Sequence, residues 1–362
     1  ETHAISSATA HPLAGRTLSG AEIIVQVLAE EGVGTVFGYS GGAILPTYDA
    51  IFIHNQECAQ ASRPQMPLIV PANEQGAGFM AAGYARASGK VGVCLVTSGP
   101  GATNTVTPVR DCMADSIPIV VICGQVPPGA IGSDAFQEAP VASIMGSVAK
   151  HVFLVTDPAK LEATMRTAFE IARTGRPGPV GIDIPKDVQN WRGPFQGSGR
   201  LPVPGYRHRM NRLVRSSLSE AQCETLFEKL GESQRPLIYV GGGAVHAGAS
   251  QALRELALEL QIPVVSTLMG LGAFDTKHPL SMHMLGMHGT AFANYSVEDC
   301  DLLLALGARF DDRVAGNPAK FAPGAKYIAQ IDIDASEIHK VKRVDWHHVG
   351  LLPEALRALK AY

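Results

Sequence analysis

Nothing in this chain invites a zinc ribbon or a disulfide scaffold. Its six cysteines are scattered, with no Cys-x-x-Cys pair, a pattern that fits a reducing compartment. Charge is sparse too, at 17% of residues and a net −3. There is no basic stripe; the densest cluster, residues 339–343, is short and reads as a solvated face, which argues against a nucleic-acid partner. No apolar run reaches the roughly 18 residues of a membrane span, so no membrane partner is expected. The first fifteen residues carry neither an initiating Met nor an Arg. They are expected to form a disordered leader, at best a faint remnant of a transit peptide. Localisation is then a bacterial cytoplasm or an organelle.

What is present is ample apolar material, 46% of 362 residues, enough for about two domains with a substantial core. Residues 18–31 show helical spacing, with Ser19 as cap and Gly32 as stop. Strand signals follow at 35–37, 68–70, 91–96, 117–123 and 180–184, with helical segments between most of them. That alternation predicts an α/β fold: a doubly wound parallel sheet over residues 16–186, covered on both faces. Residues 187–217 begin rich in Pro, Gly, Arg and Ser and are expected to be a linker. A second parallel-sheet domain, Rossmann-like with six strands at most, is expected over 218–350, from strands at 236–240, 262–266, 302–306 and 327–333. Residues 351–362 then start a further linker.

The most informative stretch is Asn73-Glu74-Gln75-Gly76-Ala77-Gly78, followed by Ala81-Ala82-Gly83-Tyr84-Ala85-Arg86. It places a carboxylate at the mouth of a helix whose early positions are mostly Gly and Ala. Small side chains there let a flat ligand or another backbone approach. An acid in a first helical turn is also explained by the macrodipole, with Asn73 as cap. Next, VGVCLVTSGPGATN (91–104) reads as strand, tight turn and helix, the place where open α/β sheets bind ligands. No Lys-Ser/Thr pair follows the glycines, so a nucleotide P-loop is disfavoured. DSIPIVVICGQV (115–126) repeats the pattern, and IGSDAFQE (131–138) follows it.

These blocks, in this order, resemble the thiamine-diphosphate enzymes, and among them the acetolactate synthase family. VFGYSGGAILPTYDA (36–50), RPGPVGIDIPKDVQ (176–189), LSMHMLGMHG (280–289) and GARFDDRV (307–314) complete the set. The likeness runs from about residue 16 to 345. It implies a thiamine pyrimidine-binding domain and a central FAD-binding domain. The family's third domain, whose Gly-Asp-Gly and later Asn hold the diphosphate and Mg2+, has no counterpart in the sequence, so no metal ligand is assigned and the chain alone is expected to be incomplete.

By this resemblance Glu74 is the catalytic carboxylate that activates thiamine diphosphate, a cofactor that supplies a carbanion through its thiazolium ring. Gly42, in the loop with Tyr39 and Gly41, offers a backbone amide to a developing oxyanion. Pro100 and Asn104 line the cofactor, and Gln137 is an active-site residue. Phe136 forms an apolar wall for a 2-oxoacid, and Lys150 and Lys186 match the substrate entrance, where a cation attracts a carboxylate. Either lysine read alone is equally an ordinary surface residue.

The flavin residues implied are Arg176, Gly242, Thr267, Leu268, Leu285, Gly286, Met287, His288, Gly307, Arg309, Arg313, Val314, Asp332 and Ile333. On their own, the Gly241–Gly243 triplet is also a tight turn, Asp332 an acid at a strand end, and Arg309 and Arg313 can pair with Asp311 and Asp312. Three positions depart from the family: Ser40 for Pro, Asn73 for His, and Leu351 for an acid. The activity implied is decarboxylation of pyruvate and transfer of its two-carbon unit to a second 2-oxoacid, by a homodimer or tetramer with a regulatory subunit among its partners. A non-catalytic paralogue that binds FAD, and another flavin-carrying carboligase, are the alternatives.

Overall fold

The computed structural model describes residues 11–362, so the first ten residues of the expected leader lie outside the described residues. Residues 11–15 are not loose. His11 stacks edge-on against Phe195 at 5.2 Å and lies 2.9 Å from Glu30. The chain divides into two compact units, one ending at Val203 and the other beginning at Pro204.

The first unit opens with β1 (Thr17–Ser19) and a helix, Gly20–Glu30. Ser19 and Glu22 form a reciprocal capping box, which satisfies two backbone donors that a helix start leaves orphaned. The helix buries Ile23, Ile24, Val27 and Leu28. The strands that follow are β2 (Val36–Tyr39), β3 (Leu68–Ile69), β4 (Gly92–Val96), β5 (Ile119–Gln125), β6 (His151–Leu154) and β7 (Val180–Pro185). They form one sheet in the order β3-β2-β4-β5-β7-β6, every neighbouring pair parallel. β4, β5 and β7 are buried along their whole length, as expected for central strands covered on both faces.

The stretch expected to be a linker carries regular structure. A helix, Lys186–Asn190, is followed by β8 (Arg192–Pro194), which pairs antiparallel with β1. Phe195 is fully buried, with Arg166 over its ring at 5.8 Å. A further helix, Tyr206–Arg215, opens the second unit. The Pro/Gly-rich composition marked an edge ribbon here, where one strand side needs no partner.

The second unit contains β9 (Pro236–Val240), β10 (Val264–Ser266), β11 (Ser281–Met284), β12 (Leu302–Leu306), β13 (Tyr327–Asp332) and β14 (Trp346–Val349). Their order, β11-β10-β9-β12-β13-β14, with all pairs parallel, is the doubly wound dinucleotide-binding arrangement. Strand alternation sorts its core into two layers: Leu302, Leu304 and Leu306 join one apolar cluster, Leu303 and Ala305 the other. Residues 351–362 are not a departing linker. They form the helix Leu352–Ala361, whose Leu352, Leu356 and Leu359 complete the first of those clusters. No helix among the described residues is long and apolar enough to cross a membrane.

Candidate active site

In the first sheet the chain reverses its winding between β2 and β4. β2 leads outward to β3, whereas β4 leads onward to β5, so the loops leaving β2 and β4 diverge and open a crevice between them. The two loops touch backbone to side chain. A Cβ on Gly41 would lie 2.5 Å from Thr97 Cβ, and the Ala43 N–H donates to Thr97 Oγ1 at 3.3 Å. Gly99 turns with φ +52°, and a Cβ there would meet the Gln137 carbonyl at 2.5 Å. The loop after β5 therefore rests on the turn after β4.

Glu74 is the first residue of the helix Glu74–Ser88, and Asn73 caps that helix by accepting from the Gly76 N–H at 2.8 Å. Glu74 as a residue is only 9% exposed. Asn104 donates its side-chain amide to Glu74 Oε2 at 3.0 Å, while Oε1 accepts from no described group. The surrounding groups stay uncharged. Burial, and after it the Glu74 carboxylate, push the Cys94 thiol up to about 12. Burial also raises the Tyr48 phenol, whose hydroxyl donates to the Leu95 carbonyl at 2.9 Å. A carboxylate with one oxygen oriented and the other uncommitted, beside neutral neighbours, is suited to sharing a proton with a bound heterocycle.

Gly42 is exposed, and nothing stands where its Cβ would be. Tyr39 ends β2 and is 37% exposed; Pro100 opens a short helix, Pro100–Thr103. Phe136, 87% exposed, and Gln137 project from a loop that Glu138 closes on itself. Its carboxylate accepts from the N–H groups of Gly132 and Ala135, which hold it below the ordinary range. Lys186 opens its helix, half-buried and without an ion-pair partner among the described residues.

Two expected residues are engaged elsewhere. The Lys150 ammonium donates to the carbonyls of Ile171 and Thr174, so it caps the C-terminus of the helix Leu161–Arg173. Arg176, read as a flavin contact, donates to Ser116 Oγ at 2.8 Å and to the Ala114 carbonyl at 3.4 Å. It fixes the end of the helix Val106–Asp115 in the first unit. Other residues escaped the sequence reading. Gln125 bridges Asp183 Oδ2, at 2.9 Å, and the Ala139 carbonyl, at 3.1 Å, and so anchors the base of the Phe136 loop. Gln189 is fully buried against the loop after β2. Asp183 and Gln189 both lie in the 176–189 block, yet their roles depend on partners far away in sequence.

The second unit gathers its expected residues at the carboxyl ends of its strands, around the reversal between β9 and β12. A Cβ on Gly243 would stand 2.8 Å from the Gly307 Cα, and one on Gly242 2.9 Å from Met269 Cβ, beside Thr267 and Leu268. Met287 donates its N–H to the Arg313 carbonyl at 2.9 Å, and Gly286, with φ +94°, packs on Arg313 and Val314. Leu285 is buried, whereas Met287 and His288 are exposed. Arg309 lies 3.6 Å from Asp311, a half-buried pair, and Arg313 3.9 Å from Asp312; the second pair, being exposed, is weak and can be exchanged for an anionic ligand. Asp332 accepts from the Asp334 N–H at 2.9 Å, in a local turn with Ile333 at its centre. No group of three or more metal-binding side chains exists among the described residues.

Comparison with known proteins agrees with this geometry. Residues 18–145 match the thiamine pyrophosphate enzyme N-terminal TPP binding domain, and residues 223–359 the central domain of the same enzymes. The acetolactate synthase large subunit of Corynebacterium glutamicum is 46% identical over 342 residues, covering 94% of this chain and 52% of the relative. The mitochondrial acetolactate synthase catalytic subunit of Saccharomyces cerevisiae is 48% identical over 320 residues, covering 86% of this chain and 44% of the relative. The chloroplastic acetolactate synthase of Arabidopsis thaliana is 45% identical over 341 residues, covering 94% and 48%. The chain thus spans about half the length of the curated relatives it matches. Two matched domains in the right order, each built on its own six-stranded parallel sheet, place this chain in the thiamine pyrophosphate enzyme family.

Proposed function

We propose that this chain is the pyrimidine-binding and central part of an acetolactate synthase catalytic subunit. The full protein would decarboxylate pyruvate and join its two-carbon unit to a second 2-oxoacid, for branched-chain amino-acid biosynthesis. The observation that carries this reading is Glu74: a nearly buried carboxylate at the mouth of a Gly/Ala helix, oriented by Asn104, with one oxygen uncommitted. The names of the relatives support the choice of substrates.

Thiamine diphosphate, when bound, supplies the nucleophilic carbon for attack on the 2-oxoacid carbonyl. This chain's own part is to hold and move charge. Glu74 Oε1 is available to the aminopyrimidine ring nitrogen, and Asn104 keeps the other oxygen in place. The open Gly42 amide is a donor for oxygen that gains negative charge. Phe136 supplies apolar surface beside the substrate, Gln137 a hydrogen-bonding group, and Lys186 a cation for its carboxylate. By the resemblance, the diphosphate and Mg2+ would be held by the family's third domain, so no role is assigned to this chain in holding them.

FAD suits the second unit. Glycines pack backbone on backbone where the winding reverses, and Leu285 with the half-buried Arg309 and the exposed Arg313 offers an apolar floor and cations for a pyrophosphate. The assembly that follows from the resemblance is a homodimer or tetramer with a regulatory subunit; the relatives named large or catalytic subunit support only that a second kind of subunit exists. The free, buried cysteines suit a bacterial cytoplasm or an organelle interior. The test is to give the full-length protein pyruvate, thiamine diphosphate and Mg2+, and to measure acetolactate and flavin absorbance. Absence of acetolactate would defeat the activity; absence of flavin after soaking with FAD would defeat the second site.

A further inference from the structure

The Ala43 peptide is held at both ends. Its N–H donates to Thr97 Oγ1 at 3.3 Å, and its carbonyl accepts from Gln189 Nε2 at 2.7 Å. Gln189 is itself immobilised. The same Nε2 donates to the Ile184 carbonyl at 3.1 Å, at the end of β7, and Oε1 accepts from the Thr47 hydroxyl at 2.8 Å. Gln189 and Thr47 are fully buried, and Thr97 is 4% exposed. The Ile44 N–H closes the turn by donating to the Gly41 carbonyl at 3.0 Å. The neighbouring Gly42 amide donates to nothing among the described residues. Three strands (β2, β4 and β7) thereby fix one turn, and with it the orientation of the exposed Gly42 N–H.

We infer that Gln189 and Thr97 are positioning residues that hold the Gly42 amide in place as a preorganised donor for the substrate oxygen. The inference rests on the function proposed above. A buried amide with three hydrogen bonds stabilises any fold, but these bonds converge on the loop that carries the exposed, uncommitted Gly42 N–H. A flexible loop would reorganise when charge developed on the substrate oxygen; a clamped one does not. Glu74 stands on a different helix and shares none of these bonds, so the clamp and the carboxylate are separable.

The test uses the full-length protein with Gln189→Leu, which keeps the volume and removes the hydrogen bonds. Thr97→Val, with Thr97→Ser as the conservative control, releases the other end and serves if Gln189→Leu fails to fold. Hydrogen–deuterium exchange on the apo protein should rise at least about tenfold at residues 43–47 and stay unchanged at 74–88. With cofactors bound, kcat should fall about 10- to 100-fold with KM within about twofold, and Thr97→Ser should recover most of the rate. Unchanged exchange at 43–47 overturns the clamp, as does a loss that falls on KM alone. A wild-type protein that makes no acetolactate would instead defeat the proposed function, and the exchange contrast would still support the clamp.

Discussion

Asn104 donates to Glu74 across thirty residues of chain, at 3.0 Å. The segment that leaves β4 thus orients the acid that opens the helix leading into β4. Glu74→Gln in the full-length protein is expected to keep the fold and the flavin but to lower turnover by roughly 10²- to 10⁴-fold, because only proton transfer is lost. Acetolactate formation with parallel absorbance spectra checks this. A wild-type rate would remove Glu74 from the chemistry.

Asp183 should make the first unit's stability depend on pH. Burial raises its carboxyl from 3.8 to about 7, against the opposing bond from Gln125. Between about pH 4 and 7 the folded chain keeps a proton that the unfolded chain has released, so stability falls as pH rises through that window and levels off above it. Asp183→Asn removes the titration and leaves an acceptor for Gln125. Its stability relative to wild type should increase by roughly 4 kcal/mol from pH 4 to pH 8. Denaturant melts at both pH values measure the difference, and a constant offset would contradict the argument.

Two glycines of the second unit should respond oppositely to alanine. At Gly243 the new Cβ meets Gly307 backbone at 2.8 Å, so Gly243→Ala should cost about 1–3 kcal/mol and weaken flavin binding. Gly231, within the helix Glu220–Glu232, has open space around it, and Gly231→Ala should gain about 0.5–1 kcal/mol. Thermal melts of both variants decide; equal shifts would contradict the packing described.

Arg166 lies between two acids, 2.6 Å from Glu30 and 3.0 Å from Glu162. Arg166→Met leaves Glu162 buried without its cation and should cost about 3–5 kcal/mol. Adding Glu162→Gln should return part of that loss, since the stranded charge is gone while the Gln196 N–H keeps an acceptor. A urea-melt double-mutant cycle reads the coupling. Strict additivity would mean that the cluster contributes nothing as a unit.

How far the sequence could be read followed burial. β5 and β12 are continuous apolar runs with both faces covered, and their pattern predicts them directly. Of the four edge strands only β3 was expected, at 68–70; the other three were missed. β6, β11 and β14 read His-Val-Phe-Leu, Ser-Met-His-Met and Trp-His-His-Val, too short and too polar to stand out from loops. Glu74 was legible through the resemblance of the ordered blocks, since an acid in a first helical turn is by itself commonplace. Gln189 was not, because its partner Ala43 lies 146 residues away and is met through a backbone carbonyl that no side-chain pattern encodes. Lys150 was legible as a cation, but the carbonyls that hold it belong to a helix end created only by folding.

The pairing of β1 with β8 brings Ser19 opposite Arg192 and Thr17 opposite Pro194. The segments that bound the first unit therefore run side by side, like the two legs of a hairpin. A module whose entrance and exit coincide can be inserted into another polypeptide, or have its ends rejoined and be reopened at a surface loop, without distorting its sheet. Such a module can also be duplicated or exchanged as one piece, so the short ribbon gives the first unit modularity as well as a few hydrogen bonds.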